Sequence, residues 1–239
     1  MNWNMQLFVV FPYVAIAIAL VGTVYRMVRR PFTVSSLSSQ LLEGRKLFWG
    51  SVPFHWGLVV VLLAHFVALI LPAGIEVWNR VPIRLYLLEI TGLALALWAL
   101  FGLGMLVYRR VGVSKIRAVT TRMDLIVLGL LVLQVITGIL IATVYRFGSY
   151  WGTGVFVPYV QSLFVLQPRP ELIAPLPFIL QFHASLFFVF LVVFPFTRLV
   201  HIITVPFQYV IRPWQIVTWV RRDRIPRKQE IPERVRTGV

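Results

Sequence analysis

The sequence predicts an all-α integral membrane protein: a bundle of five transmembrane helices with the N-terminus outside and the C-terminus in the cytoplasm. Three observations carry that prediction. The 239 residues are 59% hydrophobic and 13% charged, with a mean hydropathy of +0.84, whereas soluble domains carry roughly 25% charged residues. Five stretches reach the length of about 20 apolar residues that a bilayer crossing requires. The charge is lopsided, with 23 basic residues against 8 acidic ones and a net +15, and it gathers in alternate connections. A basic excess also marks nucleic-acid binders, but those need a polar surface that this composition cannot supply, so no nucleic-acid partner is expected.

The first span covers about residues 7–24. The residues before it hold no basic cluster, and Arg26, Arg29 and Arg30 follow the apolar run. That order reads as a retained span rather than a signal peptide. The second span covers about 52–71, the third 85–107, the fourth 125–144 and the fifth 177–203. Pro195 lies inside the fifth, where its ring removes a backbone donor and is expected to kink the helix. The long connection at 145–176 is rich in Gly and Pro and is expected to hold a short interfacial helix around 157–165. Nineteen of the 23 basic residues follow spans one, three and five; Arg80, Arg84, Arg146 and Arg169 make up the rest. Positive-inside bias places that majority side in the cytoplasm, in a cytoplasmic (inner) membrane. Residues 1–220 form the membrane domain, and 221–239, broken by Pro226 and Pro232, form a basic cytoplasmic tail.

The chain contains no cysteine, which excludes disulfides, thiolate zinc sites and iron–sulfur ligation by this chain. Its four histidines all fall in spans: His55 and His65 in the second, His183 and His201 in the fifth. Ionisable side chains at membrane depth are costly and mark function. His55 and His65 are separated by about 15 Å of helix rise, too far to share one metal, and His183 and His201, five full turns apart, by about 27 Å on one face. The two spans run antiparallel. His55 therefore faces His201 at the cytoplasmic side, and His65 faces His183 at the outer side. The unequal separations call for helix tilt or the kink at Pro195.

Paired imidazoles in an apolar gap with almost no carboxylate suit haem, whose macrocycle supplies the other four ligands. With both axial positions filled, such iron serves electron transfer. The lack of a Cys-x-x-Cys-His motif leaves b-type haem, two per chain. Arg198, Arg109 and Arg110 lie on the cytoplasmic side as propionate partners, although positive-inside anchoring explains the latter two equally well. Gly57, Gly92, Gly102, Gly104, Gly129 and Gly138 allow close approach of a macrocycle or, more simply, of a neighbouring helix.

Several segments then resemble a known family. They are residues 35–42 (Ser-Ser-Leu-Ser-Ser-Gln-Leu-Leu), Phe54-His55-Trp56-Gly57, Ala64-His65-Phe66, and Ile116-Arg117-Ala118-Val119-Thr120-Thr121 with Asp124. The most specific is Phe194-Pro195-Phe196-Thr197-Arg198-Leu199-Val200-His201-Ile202, followed by Val205-Pro206. Together they resemble the gamma subunit of membrane-bound respiratory nitrate reductase, over about residues 5–220. The resemblance implies a di-haem cytochrome b that oxidises quinol near the outer face. It passes electrons to an iron–sulfur beta subunit and then to a molybdenum-cofactor alpha subunit, where nitrate is reduced in anaerobic respiration.

His55 and His201 would hold the haem proximal to those partners, and His65 and His183 the distal one. The family places a lysine near the start of span three, at the quinol site. Arg84, Tyr86 and Glu89 occupy that stretch here. Arg84 or Tyr86 would hydrogen-bond a quinone oxygen, or anchor the interface, and Glu89 would accept a proton. Competing readings are the same cytochrome serving another terminal enzyme, nitrite oxidation in reverse, and a haem-free membrane anchor.

Overall fold

The computed structural model describes residues 3–30 and 45–202, apart from the side chain of His201. The motif at 35–42, Val205-Pro206, the domain boundary at 220 and the basic tail lie outside the described residues. Every regular element among those described is helical. Helix α1 runs Trp3–Arg29, α2 Arg45–Ile70, α3 Pro72–Asn79 and α4 Pro82–Gly112. They are followed by α5 Ser114–Ala118, α6 Arg122–Val144, α7 Gly148–Phe164 and α8 Phe178–Val193.

Helices α1, α2, α4, α6 and α8 with its following turn are long and apolar enough to cross a membrane, which gives the five expected spans. Only 17% to 28% of each span's apolar window is buried inside the protein. Water would not tolerate so much exposed apolar surface, whereas lipid does.

Helix boundaries follow from local chemistry. Pro72 and Pro82 sit in the first turns of α3 and α4, where the missing N–H costs nothing. At the start of α6, the Thr121 hydroxyl accepts from Asp124 N at 3.2 Å and the Thr121 N–H donates to Asp124 Oδ2 at 3.0 Å, a reciprocal cap. In α1 the ladder widens to a π turn at Gln6–Val10, and the buried Tyr159 hydroxyl of α7 donates to Phe8 O at 2.9 Å. Burial, and secondarily the neighbouring Tyr13, push the Tyr159 phenol up, so it remains a donor at any physiological pH.

Packing runs as an arc, from α2 to α4, α6, α8 and α1. The closest seam joins α2 to α4, and three glycines permit it. A Cβ on Gly102 would fall 2.4 Å from Phe54 N, one on Gly57 2.5 Å from Leu95 O, and one on Gly50 2.8 Å from Leu106 Cδ2. One core cluster, around Phe54, Leu103, Val127, Leu131 and Val135, joins α2, α4 and α6. A second, around Phe8, Ala15, Tyr159, Leu163, Ala184 and Phe188, joins α1, α7 and α8. Among the described residues, the two histidine-bearing spans α2 and α8 are not a closely packed pair; α4 and α6 connect them.

Two sequence expectations need correction. The fifth span is not one kinked helix to residue 203. Helix α8 stops at Val193, a 3-10 turn covers Phe194–Phe196, Thr197 is extended (φ −109°, ψ 173°), and a new 3-10 turn covers Arg198–Ile202. Pro195 is buried, and the Arg26 side chain of α1 donates to two carbonyls there, so a full break is tolerated. The helical rise and common face computed between His183 and His201 therefore do not apply. The interfacial helix of the long connection is also larger than 157–165: α7 begins at Gly148. Its start is set by Phe147, whose backbone is left-handed (φ 64°, ψ 39°), and by a carboxylate from α4 described below.

Candidate functional site

His55 and His65 project from α2 and are exposed from the protein. Each ring is oriented by its own helix. His55 Nδ1 lies 2.7 Å from Ser51 O and 3.1 Å from Ser51 Oγ, and His65 Nδ1 lies 2.8 Å from Val61 O. A carbonyl oxygen can only accept, so Nδ1 carries the proton in both rings and Nε2 presents its lone pair outward.

His183, on α8, is half-buried and held by α6 instead. Its Nδ1 lies 2.7 Å from Thr137 Oγ1. The Thr137 hydroxyl proton is directed to Leu133 O at 2.8 Å or Gln134 O at 3.0 Å, so the oxygen accepts from His183 Nδ1–H. Gln134 Nε2 stands 3.2 Å from His183 Nε2 and donates to it. Both contacts require the same tautomer. Gly138 is needed here, because a Cβ at that position would lie 3.3 Å from His183 Cε1.

All three described imidazoles thus have the Nδ1–H anchored, which orients each ring with Nε2 as the ligating nitrogen; on His55 and His65 that nitrogen is open, and on His183 it accepts from Gln134, whose amide must turn aside for it to ligate. Among the described residues, no group of three or more His, Asp and Glu side chains is placed to hold a metal ion. Gly92, Gly104 and Gly129 have no neighbouring atom within 4 Å of a Cβ position, whereas Gly57 and Gly102 are committed to the α2–α4 seam. Gln134 Oε1 is buried without a partner, next to the His183 ring. The residues present fit axial ligation of haem. The side chain of His201 lies outside the described residues, so its partnership with His55 rests on the sequence.

The three arginines expected near the cytoplasmic histidines do cluster at the α5 end of the bundle. Arg109 is 3% exposed. Arg110 Nη1 lies 3.0 Å from Asp124 Oδ2, and Arg198 Nε lies 3.4 Å from Asp124 Oδ1. One carboxylate therefore ties the end of α4, the start of α6 and the turn after the α8 break, and it also caps α6. The two arginines keep a net positive charge beside it. Asp124→Ala is expected to cost about 1 kcal/mol, chiefly from the lost cap with a smaller part from the two ion pairs, and to lower the thermal unfolding midpoint in detergent. An unchanged midpoint would show that the three elements are held otherwise.

Of the three residues expected around a quinol, the structure brings two together. Glu89 Oε1 accepts from Ser149 N at 2.8 Å and from Ser149 Oγ at 2.5 Å, capping α7 from α4. Tyr86 packs edge-on against Phe147, with ring centroids 5.7 Å apart. Arg84 instead lies over the Trp78 ring of α3, 5.4 Å from its centroid, while Trp78 Nε1 donates to Arg84 O at 3.3 Å. The helical repeat explains the split: positions 86 and 89 share a face, and 84 projects away from both. The buried Asn79 extends the cluster, its Nδ2 donating to Ser149 Oγ at 3.2 Å while its Oδ1 has no partner.

Gln134, Thr137, Asn79 and Ser149 were missed in the sequence. A signal was present for the first two, since a polar pair three residues apart interrupts an otherwise apolar span on one face.

The family model described as nitrate reductase gamma subunit matches residues 4–220. The nitrate reductase gamma chain of Bacillus subtilis (strain 168) is 30% identical over 212 residues, covering 87% of this chain and 94% of that one. The respiratory nitrate reductase 1 gamma chain of Escherichia coli (strain K12) is 30% identical over 219 residues, covering 90% and 96%. The nitrate reductase-like protein NarX of Mycobacterium tuberculosis is 32% identical over 213 residues, which span 87% of this chain and 32% of that longer protein. With the match running through all five spans, the chain belongs to the nitrate reductase gamma subunit family.

Proposed function

We propose that this chain is the membrane-anchoring, quinol-oxidising cytochrome b subunit of a respiratory nitrate reductase complex. The observation that carries the reading is the shared setting of the described histidines, each with Nδ1–H bonded to an oxygen that orients the ring, on two spans that are not packed on each other. Two b haems, one on His55 and His201 and one on His65 and His183, would supply one-electron carriers stacked across the membrane. The chain's own part is to bind, orient and insulate.

Ser51, Val61 and Thr137 fix ring orientation by accepting from Nδ1–H. Arg109, Arg110 and Arg198 provide positive charge for propionates at the α5 end, which faces the cytoplasm by the positive-inside bias. At the opposite, outer end, Tyr86 offers a hydroxyl to a quinol oxygen. Glu89 takes the released proton on Oε2, since Oε1 is engaged by Ser149. Protons then leave outside while electrons pass inward to an iron–sulfur beta subunit and a molybdenum alpha subunit. Nitrate is not reduced on this chain, which has no cysteine for an iron–sulfur relay of its own.

Affinity purification of the tagged chain from solubilised membranes tests the assignment. Co-purification of an iron–sulfur subunit and a molybdenum subunit, with quinol-dependent nitrate reduction by the complex, is the expected result. Recovery of a different terminal enzyme, or nitrate reduction by quinol undiminished in membranes lacking this chain, would overturn it.

A further inference from the structure

The break in the fifth span has a second helix committed to it. Helix α1 passes the Pro195–Thr197 corner and contributes two residues. Gly22 lets α1 touch the proline ring, because a Cβ there would lie 2.9 Å from both Cβ and Cγ of Pro195. One turn further along, Arg26 Nη1 donates to Pro195 O at 2.9 Å and also to Thr197 O. The corner's other groups are satisfied within the segment: Thr197 Oγ1 donates to Phe194 O at 2.8 Å and accepts from Leu199 N at 3.2 Å. Immediately beyond, Arg198 is paired with Asp124 of α6.

This arrangement exceeds what positive-inside anchoring needs. An anchoring arginine extends its head to water or lipid phosphate. Arg26 instead turns its guanidinium to two backbone carbonyls that the proline break has freed, the kind of compensation a broken helix at membrane depth requires. The segment so held is the one carrying His201, three residues past Arg198. Pro195 and Thr197 are buried, so the corner is fixed from both sides before the chain reaches that histidine.

We propose that Arg26, seated by Gly22, is a positioning residue for His201 and thereby for one haem only, the one shared with His55. The proposal rests on the di-haem reading above. Its contrast is internal to the molecule: His183 lies before the break and is held by Thr137 and Gln134 of α6.

The test is a spectroelectrochemical titration of the full-length chain in its purified complex, resolving the two b haems in wild type, Arg26→Gln and Arg26→Lys. Two resolvable haems in wild type are the precondition, and their absence would sink the di-haem reading itself. Given two haems, Arg26→Gln is expected to displace the midpoint of one haem, or to lower its occupancy by half or more, with the other unmoved. Arg26→Lys, with one donor head in place of a fork, should show a smaller change at the same haem. If both haems keep wild-type midpoints and occupancy in Arg26→Gln, or if both change alike, Arg26 does not position His201. Should Arg26→Gln fail to accumulate, Arg26→Lys decides by the same criterion: a change confined to one haem supports the proposal, and no change or an equal change in both overturns it.

Discussion

His65→Ala is expected to remove one of two b haems and to leave the other at full occupancy with its spectrum unchanged. His183→Ala should remove the same haem, and the double variant should lose no more than either single change. The reason is geometric. Axial ligation by two imidazoles fails when either is truncated, and the proposed pair stands on two separate spans, His65 on α2 and His183 on α8. The effect is all-or-none for that haem, because alanine offers iron no ligand and neither Thr137 nor Gln134 is a substitute. Haem quantification on each purified variant checks the outcome. Loss of different haems in the two single variants would show that the histidines are paired the other way.

Gly102→Val is expected to prevent accumulation of folded protein. A Cβ there lands 2.4 Å from Phe54 N and 2.6 Å from Gly50 O. Both are backbone atoms inside α2, so no rotamer change relieves the clash and the helices must separate. Overpacking of a closed seam costs about 3 kcal/mol, and α2, one side of that seam, is the helix that carries both His55 and His65. Gly104→Ala and Gly129→Ala serve as controls. Neither position has an atom within 4 Å of the added Cβ, and alanine favours a helix by about 1 kcal/mol over glycine. These two should express at wild-type level or better. Equal expression of Gly102→Val would mean that the seam opens easily.

The spans were legible because hydropathy over about 20 residues is set by composition and needs no tertiary information. The four histidines stood out for a related reason, since lipid makes an ionisable side chain expensive and therefore conspicuous. What escaped the sequence depends on partners far along the chain. Pro195 reads equally as a kink or as a break. Only Arg26, 169 positions away, decides in favour of a break by taking the carbonyls that are released. Arg26 itself looked like one more anchoring charge, because a charge count does not say where a guanidinium turns.

The start of α7 at Gly148 depends on Glu89 of α4 capping it and on a left-handed Phe147, neither of which a window of local sequence reveals. Short α3 left a readable mark, Pro72 just inside its first turn, which stands directly after the expected end of the second span and was not read as a helix start. Asp124 was noticed only within a motif. Its role as the joint ion-pair partner of Arg110 and Arg198 required three elements in place. Arg84, Tyr86 and Glu89 sit together in sequence, yet the helical repeat sends Arg84 to Trp78 and leaves the other two at the α7 cap.

The central claim is that this chain handles electrons through its histidines alone, since it has no cysteine to hold an iron–sulfur cluster. A pyridine haemochrome spectrum of the purified chain, with haem counted against protein, tests it most directly. The account predicts a b-type spectrum with two haems per chain. A chain that carries no haem, or one haem that survives replacement of both His65 and His183, would contradict it.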